Sequence, residues 1–133
     1  MKKRLLVKRI KNKGRGIFCN QLIAKEEDIE ICPVLVLPAK DYDTLVASHL
    51  VDYFFNFNKE ESTLALALGF GSLYNHAVNS NAAYTLDREL KTIRFYALED
   101  IATGTEICIN YAGEQGKEFT EWFESRNIVY QPK

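Results

Sequence analysis

The sequence predicts a mostly β protein made of several small sheets, with a minor α component of short helices. Short runs of β-branched and other apolar residues are common, whereas patterns of helical periodicity are scarce. The chain has 133 residues, of which 47% are apolar and 12% aromatic. This is enough apolar material for one core without disulfides or a structural metal. Because no repeat or linker divides the sequence, we expect a single domain over residues 1–133.

Eight short apolar runs bounded by turn residues have the composition of strands. A turn at Gly14-Arg15-Gly16 separates the first two runs, so residues 1–13 are predicted to form an N-terminal strand. Pro33 lacks an amide hydrogen, and the third run must therefore lie at a sheet edge or bend there. The predicted strands are Leu5–Ile10, Ile17–Cys19, Ile29–Leu37, Tyr53–Phe57, Leu64–Leu68, Ala83–Leu86, Thr92–Leu98 and Thr105–Tyr111.

Two segments have the spacing of short helices. Apolar residues recur at helical intervals from Pro38 to about residue 50, which predicts one helix there. Near the C-terminus, Phe119, Trp122 and Phe123 lie at positions i, i+3 and i+4. That spacing predicts a second helix over about residues 118–126, with one aromatic face.

The charge balance limits the classes of partner. Seventeen Lys and Arg residues against eighteen Asp and Glu give a formal charge of -1, which argues against an extended footprint for nucleic acid or an anionic membrane. Basic residues near the N-terminus alternate with apolar ones, which favours a solvated strand face; contact with an acidic partner is the alternative. The cluster contains Lys2, Lys3, Arg4, Lys8, Arg9, Lys11, Lys13 and Arg15.

The cysteines indicate neither a disulfide framework nor a metal cluster. Cys19, Cys32 and Cys108 are odd in number and form no Cys-x-x-Cys pair, so no metal is expected. The N-terminus lacks the apolar run of a signal peptide, and no window is long enough for a membrane span. We expect a soluble, cytoplasmic protein, or one in the nucleus or a host cell if the source is eukaryotic, viral or a pathogen.

Two strings contain the residues best suited to chemistry. Asn75 and His76 precede further small polar residues at 79–81, and they could bind an adenine edge or order a loop. Taken alone, the pair favours a structural turn. Tyr111 follows Ile109 at strand spacing, and alone it favours a core or edge aromatic.

Five segments in order resemble the linear plan of a SET domain, from about residue 14 to residue 123. They are Gly14-Arg15-Gly16-Ile17-Phe18, Ile29-Glu30-Ile31-Cys32-Pro33, Tyr53-Phe54-Phe55, Asn75-His76 through Asn81-Ala82, and Gly104-Thr105-Glu106 leading to Ile109-Asn110-Tyr111. Asn-His-x-x-x-x-Asn combined with Glu-x-x-x-x-Tyr is the strongest element, with 35 positions from His76 to Tyr111 (111 − 76 = 35). The chain is thus similar to SET-domain lysine methyltransferases, as a small stand-alone form without zinc-binding post-SET cysteines.

The resemblance implies a fold and a reaction. It implies a β-clip-like fold of several small sheets with a C-terminal pseudoknot, closed by a helical segment over 114–133. It also implies a protein-lysine N-methyltransferase that uses S-adenosylmethionine, releases S-adenosylhomocysteine and needs no metal. Two alternatives stay open: an inactive or weak SET-fold binding or scaffold module, and an enzyme acting on a small amine or another group.

Site residues follow from the resemblance position by position. Tyr111 matches the active-site tyrosine, which would orient the lysine amine; a general-base role is less favoured, because an unperturbed phenol is mostly protonated at neutral pH. Tyr84 and Ile109 would line the lysine channel with Tyr111. The implied cofactor-binding residues are Lys13, Gly14, Arg15, Gly16, Tyr53, Asn75, His76 and Trp122.

Some of these assignments have a structural alternative. Tyr53 could equally be a core residue instead of a cofactor contact. Trp122 could either cover the core or stack on the adenine of the cofactor. Asn75 and His76 would hold the cofactor largely through backbone groups, so that their side chains mainly fix the crossing loops. Gly14 and Gly16 would let the backbone approach the methionine part of the cofactor, because glycine has no Cβ.

The implied partner is a protein that presents a lysine, either a histone or another protein. A homodimer is possible, and neither nucleic acid nor membrane is expected as a direct partner. The common Asn-His motif has Ser, Cys and Pro where this chain has Ala77, Val78 and Ser80, so we expect weakened rather than abolished cofactor binding. A glycine often found within residues 24–27 is also missing, which should affect only loop geometry.

Overall fold

The fold was obtained as a computed structural model, which describes residues 4–11 and 14–111. Lys13, Trp122 and the predicted helix over 118–126 lie outside these residues. The described part contains nine strands, the α-helix α1 and two short 3₁₀ helices. They are β1 (Leu5–Ile10), β2 (Gly14–Cys19), β3 (Asp28–Leu37), a 3₁₀ helix (Ala39–Asp41), α1 (Tyr42–Val46), a 3₁₀ helix (His49–Tyr53), β4 (Phe54–Asn58), β5 (Thr63–Ala67), β6 (Asn75–His76), β7 (Ala82–Asp87), β8 (Thr92–Ala97) and β9 (Glu106–Ile109). The prediction of a mostly β fold with several small sheets is confirmed.

The described residues group into two compact units. The first comprises the described residues of Met1–Ile29, Tyr74–Tyr84 and Tyr96–Lys133. Its sheet has the strand order β1-β2-β9-β6. β1 and β2 form an antiparallel hairpin, and β2 pairs antiparallel with β9. β6, by contrast, runs parallel to β9.

The core of the first unit is centred on β9. This strand lies between β2 and β6, and Ile107, Cys108 and Ile109 are all buried. A continuous apolar run, rather than an alternating one, is what a strand covered on both faces requires. The other buried apolar residues of this unit are Ile17, Cys19, Ile23, Ile29, Tyr74, Ala77, Val78, Ala82, Ala97 and Ile101.

The second unit comprises Glu30–Leu73 and Thr85–Phe95. It contains most of a five-stranded sheet of order β4-β5-β3-β8-β7. Along β3, Cys32 and Val34 are buried while Ile31 and Leu35 are exposed, which is the alternation expected of a sheet with one covered face. The Phe55 and Phe95 rings meet edge-on, with centroids 6.2 Å apart.

The position of Pro33 excludes one of its two predicted placements, a sheet edge or a bend. β3 lies in the interior of the strand order, so Pro33 is not at an edge, and the bend stays a prediction. The register of β3 with β5 runs from Val34 to Leu37, just beyond the proline. Pro33 contributes its carbonyl oxygen, which accepts from the Leu68 amide at 3.0 Å. A residue without an amide hydrogen is tolerated there because only its carbonyl is used.

The predicted helix over 38–50 is broken into short pieces. Ser48 has extended backbone angles, and its hydroxyl donates to the Leu45 carbonyl and accepts from the Leu50 amide. A serine side chain that bonds nearby backbone competes with helix continuation. Tyr53 then ends the second 3₁₀ helix, so the prediction that it opens a strand is wrong.

Two further boundaries differ from the predictions. The segment Gly14–Gly16 belongs to β2 and not to a turn, since its residues pair with β1. At the other end β9 stops at Ile109, so Tyr111 lies just beyond the strand. Within the described residues, no helix is both long enough and apolar enough to cross a membrane.

Candidate active site

The two motifs lie side by side in the first unit. β6 and β9 pair in parallel, with Asn75 opposite Cys108 and His76 opposite Ile109. The Ala77 amide continues this pairing by donating to the Ile109 carbonyl at 3.0 Å. The prediction that these distant segments meet is therefore confirmed.

The Asn75 side chain connects three strands. Its amide nitrogen Nδ2 donates to the Arg15 carbonyl at 3.0 Å and to Glu106 Oε2 at 2.7 Å. One residue of β6 is thereby tied both to β2 and to the start of β9. This geometry confirms that the side chain fixes the crossing segments.

His76 positions the backbone of Tyr111. The imidazole is buried, and its Nδ1 accepts from the Tyr111 amide at 2.9 Å. An accepting Nδ1 carries no proton, so this contact requires the tautomer protonated on Nε2. The two rings also pack together, with centroids 5.1 Å apart and an interplanar angle of 52°.

The Tyr111 hydroxyl is oriented by backbone. It donates to the Tyr74 carbonyl at 2.9 Å. Because the hydroxyl proton is used in this bond, the lone pairs of the oxygen remain available to accept from another group. Tyr111 is half-buried, so its oxygen is held by the protein without being wholly enclosed.

Two asparagines bind backbone groups near β9. Asn81 Nδ2 donates to the Glu106 carbonyl at 2.9 Å, and Asn81 Oδ1 accepts from the Cys108 amide at 2.9 Å. The side-chain amide of Asn81 thus makes both hydrogen bonds that a neighbouring strand would make to the residues flanking Ile107. Asn110 Nδ2 in turn donates to the Val78 carbonyl at 3.2 Å. Segment 78–81 is consequently held to β9 and its end through side chains.

The two glycines of β2 are required for different reasons. Gly14 has φ +79, a left-handed conformation that favours glycine, and no atom lies within 4 Å of the position of an added Cβ. At Gly16, an added Cβ would lie 2.6 Å from Glu106 Oε2 and 2.9 Å from Asn75 Nδ2, and would also meet Ile10. Gly16 is therefore needed for packing within the protein, and its close approach to the cofactor stays a prediction.

The remaining predicted residues are distributed as follows. Ile109 is buried on β9 beside His76. Tyr84 is half-buried on β7, and burial raises the pKa of its hydroxyl group. Arg15 is exposed in β2, next to Gly16. Tyr53 belongs to the second unit and is 38% exposed, so it is not a core residue.

The sequence analysis gave no individual role to Glu106 or Tyr74, and it gave Asn81 only as part of a motif. Glu106 accepts from Asn75, Asn81 supports β9, and the Tyr74 carbonyl accepts from Tyr111. Glu106 and Asn81 were visible as the outer letters of the two motifs. A backbone carbonyl such as that of Tyr74 leaves no signal in residue type.

The departures from the common Asn-His motif are buried. Ala77, Val78 and Ser80 have 1%, 8% and 1% of their surface exposed. Ala77 and Val78 also supply the backbone groups bonded to Ile109 and Asn110. The three positions are therefore packed inside the protein, and the expected weakening of cofactor binding stays a prediction. In the part of the chain that the structure describes, no three His, Cys, Asp or Glu residues form a group suited to a metal ion.

Comparison with known proteins gives consistent results. The model of the SET domain family matches residues 14–112. A histone-lysine N-methyltransferase of Schizosaccharomyces pombe, specific for H3 lysine-37, is 32% identical over 120 residues, which are 90% of this chain and 77% of that protein.

Two solved structures are also similar. A candidate histone methyltransferase of Plasmodium falciparum has a TM-score of 0.66 and 27% identity, over 86% of this chain and 99% of that one. A chain of ctPRC2, in complex with H3K27me3 and H3K27M, has a TM-score of 0.69 at 18% identity over 84% of this chain and 15% of that one; it shows the fold alone. Because the family match spans most of the sequence and both motifs meet in one site, the chain belongs to the SET domain family.

Proposed function

We propose that this protein is an S-adenosylmethionine-dependent protein-lysine N-methyltransferase with Tyr111 at its reaction centre. Membership of the SET family and the 32% identical histone-lysine methyltransferase support lysine methylation. The assignment of Tyr111 rests on two hydrogen bonds that fix this residue. Its amide is bound by His76 and its hydroxyl by the Tyr74 carbonyl, so the phenol oxygen has a defined position.

The described residues fit a sulfonium cofactor. The Tyr111 hydroxyl and the Tyr74 carbonyl place two electronegative oxygens together, which favours a neighbouring cationic group. Gly14 has open space where a side chain would otherwise lie, so its backbone is accessible. S-adenosylmethionine, when bound, supplies an electrophilic methyl group.

The proposed binding residues divide into contacts and supports. Gly14, Arg15 and the backbone of Asn75 and His76 would contact the cofactor. The side chains of Asn75 and His76 are already bonded within the protein, so they support the site rather than bind. Gly16 acts by allowing Asn75 to approach β2 closely. Lys13 and Trp122 remain proposals from the resemblance, as does Tyr53 in the second unit.

Tyr111 would act on the substrate by orientation. Its hydroxyl proton is directed at the Tyr74 carbonyl, so its oxygen can accept from the substrate amine and stabilise developing positive charge. This arrangement supports an orienting role in preference to a general base. A buried apolar wall such as Ile109 would favour the neutral, nucleophilic form of the lysine. Tyr84 would narrow the channel and limit the number of methyl groups added.

A histone lysine is the proposed acceptor. The related fission-yeast enzyme is specific for H3 lysine-37, and the similar Plasmodium falciparum structure is that of a candidate histone methyltransferase. Non-histone proteins are the alternative acceptors. A screen with radiolabelled S-adenosylmethionine against histone H3, the other core histones and a panel of lysine-containing proteins decides between them, and mass spectrometry counts the methyl groups.

The test of the mechanism is Tyr111→Phe, which removes one oxygen and retains the ring. Loss of one preorganised polar group should lower the turnover number about 10²- to 10³-fold. The cofactor dissociation constant, measured by calorimetry, should change little. Tyr42→Phe, at a half-buried tyrosine of α1 in the second unit, is the matched control and should retain full activity.

Two outcomes would contradict this proposal. Equal turnover in Tyr111→Phe and the parent would exclude the hydroxyl from catalysis. If the parent binds cofactor but transfers no methyl group to any protein, the chain is a SET-fold binding module instead.

A further inference from the structure

The near-zero net charge of the chain is the sum of a basic N-terminal segment and an acidic remainder. Residues 1–15 contain eight Lys and Arg and no Asp or Glu. Residues 16–133 therefore contain nine basic residues (17 − 8 = 9) against eighteen acidic ones, a formal charge of -9. Such an asymmetry indicates a local binding surface for an anion rather than uniform solvation.

Within this basic segment, the β1–β2 hairpin brings like charges together. Arg9 and Arg15 are direct cross-strand partners, and both are exposed. Lys11, also exposed, follows β1 two positions after Arg9. Like charges directly opposite each other destabilise an antiparallel pair. We name Arg9, Lys11 and Arg15 the basic hairpin face.

The charge on this face is not compensated by the described residues. No carboxylate in residues 4–11 or 14–111 pairs with the side chain of Arg9, Lys11 or Arg15. Arg4, on the same hairpin, does have such a partner, because it pairs with Glu27 and also donates to the Asp28 carbonyl. Repulsion between like charges that no neighbouring carboxylate offsets is typical of functional surfaces.

The net charge of the whole chain argues against an extended footprint for nucleic acid; from the local charge we propose, instead, that the basic hairpin face binds the phosphate backbone of duplex DNA. Exposed Arg and Lys side chains make phosphate contacts, and such contacts need no base-specific geometry. The -9 charge on residues 16–133 would repel DNA, so binding would be oriented through the basic N-terminal segment that contains this face. DNA binding does not require methyl transfer, but the face shares Arg15 with the proposed cofactor site, so Arg9 and Lys11 are the residues to test.

The surroundings of the face favour DNA over other anionic partners. Protein interfaces depend on exposed aromatic and large apolar anchors. On the Arg9 side of β1 the neighbouring apolar side chain is Val7, a small residue that is only partly exposed. Single-stranded nucleic acid requires exposed rings for stacking. Phe18 offers none on this face, because it lies on the opposite side of the hairpin, where Lys8 Nζ is 5.0 Å from its ring centroid.

Fluorescence anisotropy with a labelled duplex of about 20 base pairs tests this proposal. Three phosphate contacts predict a slope of about -2.7 for the logarithm of the binding constant against the logarithm of salt concentration. The dissociation constant should therefore rise about 40-fold between 50 mM and 200 mM salt. A single strand of the same sequence and a polyglutamate peptide serve as competitors.

The test variant is Arg9→Gln with Lys11→Gln; Arg15 is left unchanged because it belongs to the proposed cofactor site. At low salt its dissociation constant for duplex should rise at least about tenfold, and the salt slope should fall to about -0.9. The variant should fold at least as well as the parent, since it removes a like-charge pair. Lys25→Gln with Lys40→Gln removes the same charge from two exposed positions elsewhere and should bind like the parent.

Three results would overturn the proposal. These are equal duplex binding by the parent and the test variant, an equal loss in the control variant, or stronger binding of polyglutamate or single strand than of duplex. The last result would assign the face to an acidic protein or to single-stranded nucleic acid instead.

Discussion

Replacing Asn81 with alanine should strongly destabilise the first unit. Asn81 is buried, and its side chain binds two backbone groups on either side of Ile107, both at 2.9 Å. Asn81→Ala removes both hydrogen bonds and leaves the buried Cys108 amide without its acceptor. Each bond contributes about 0.5–1.5 kcal/mol, and an unsatisfied buried group costs about 1–3 kcal/mol. We expect the free energy of unfolding to fall by about 3 kcal/mol.

Urea unfolding at 25 °C, followed by circular dichroism, measures this loss. Asn79→Ala is the matched control, because Asn79 lies in the same segment but is exposed, and its cost should be close to zero. Asn81→Asp retains an acceptor for Cys108 but places a second acceptor against the Glu106 carbonyl, so it should also be destabilising. A loss below about 1 kcal/mol for Asn81→Ala would refute the view that this side chain substitutes for a neighbouring strand.

Two further predictions concern backbone conformation and pH. Glu26 has φ +71 at the turn where the family often has glycine. Glu26→Gly should therefore raise the free energy of unfolding by about 0.5–1 kcal/mol, whereas Lys25→Gly should lower it. A lower thermal unfolding midpoint in Glu26→Gly would contradict this prediction. Burial, aided by Glu30, raises the pKa of Cys32 from 9.0 to about 12. The folded thiol thus holds its proton more tightly than the unfolded one, so its contribution to stability is complete below pH 9 and is lost as pH rises towards 12. Cys32→Ala should therefore lose less stability between pH 9 and 11 than the parent in urea titrations, and parallel curves would exclude this effect.

The turn at residues 24–27, where a glycine is often found, contains one residue in the left-handed conformation. This residue is Glu26, whose amide donates to the Ala97 carbonyl at 2.8 Å. Sequence comparison could identify the missing glycine. The backbone angle that makes it significant follows only from the path of the surrounding chain.

Strand positions were largely predictable, because composition and turn residues mark short apolar runs. The errors fall where tertiary contacts override a local signal. Gly14–Gly16 has the composition of a turn, yet it is held in β2 by pairing with β1. Helical spacing over 38–50 continued past Ser48, where the side chain bonds its own backbone neighbours instead.

The sequence by itself determined the fold class, the family resemblance and the two strings that form the site. Periodicity and motif spacing are local or linear properties, so they are visible without a structure. The tertiary structure decided what each residue of the site does. Asn75 binds Arg15 and Glu106 across 60 and 31 positions, and Tyr111 is oriented by a carbonyl 37 positions away. Hydrogen bonds between such distant groups leave no periodic trace, and backbone acceptors are identical in every residue type.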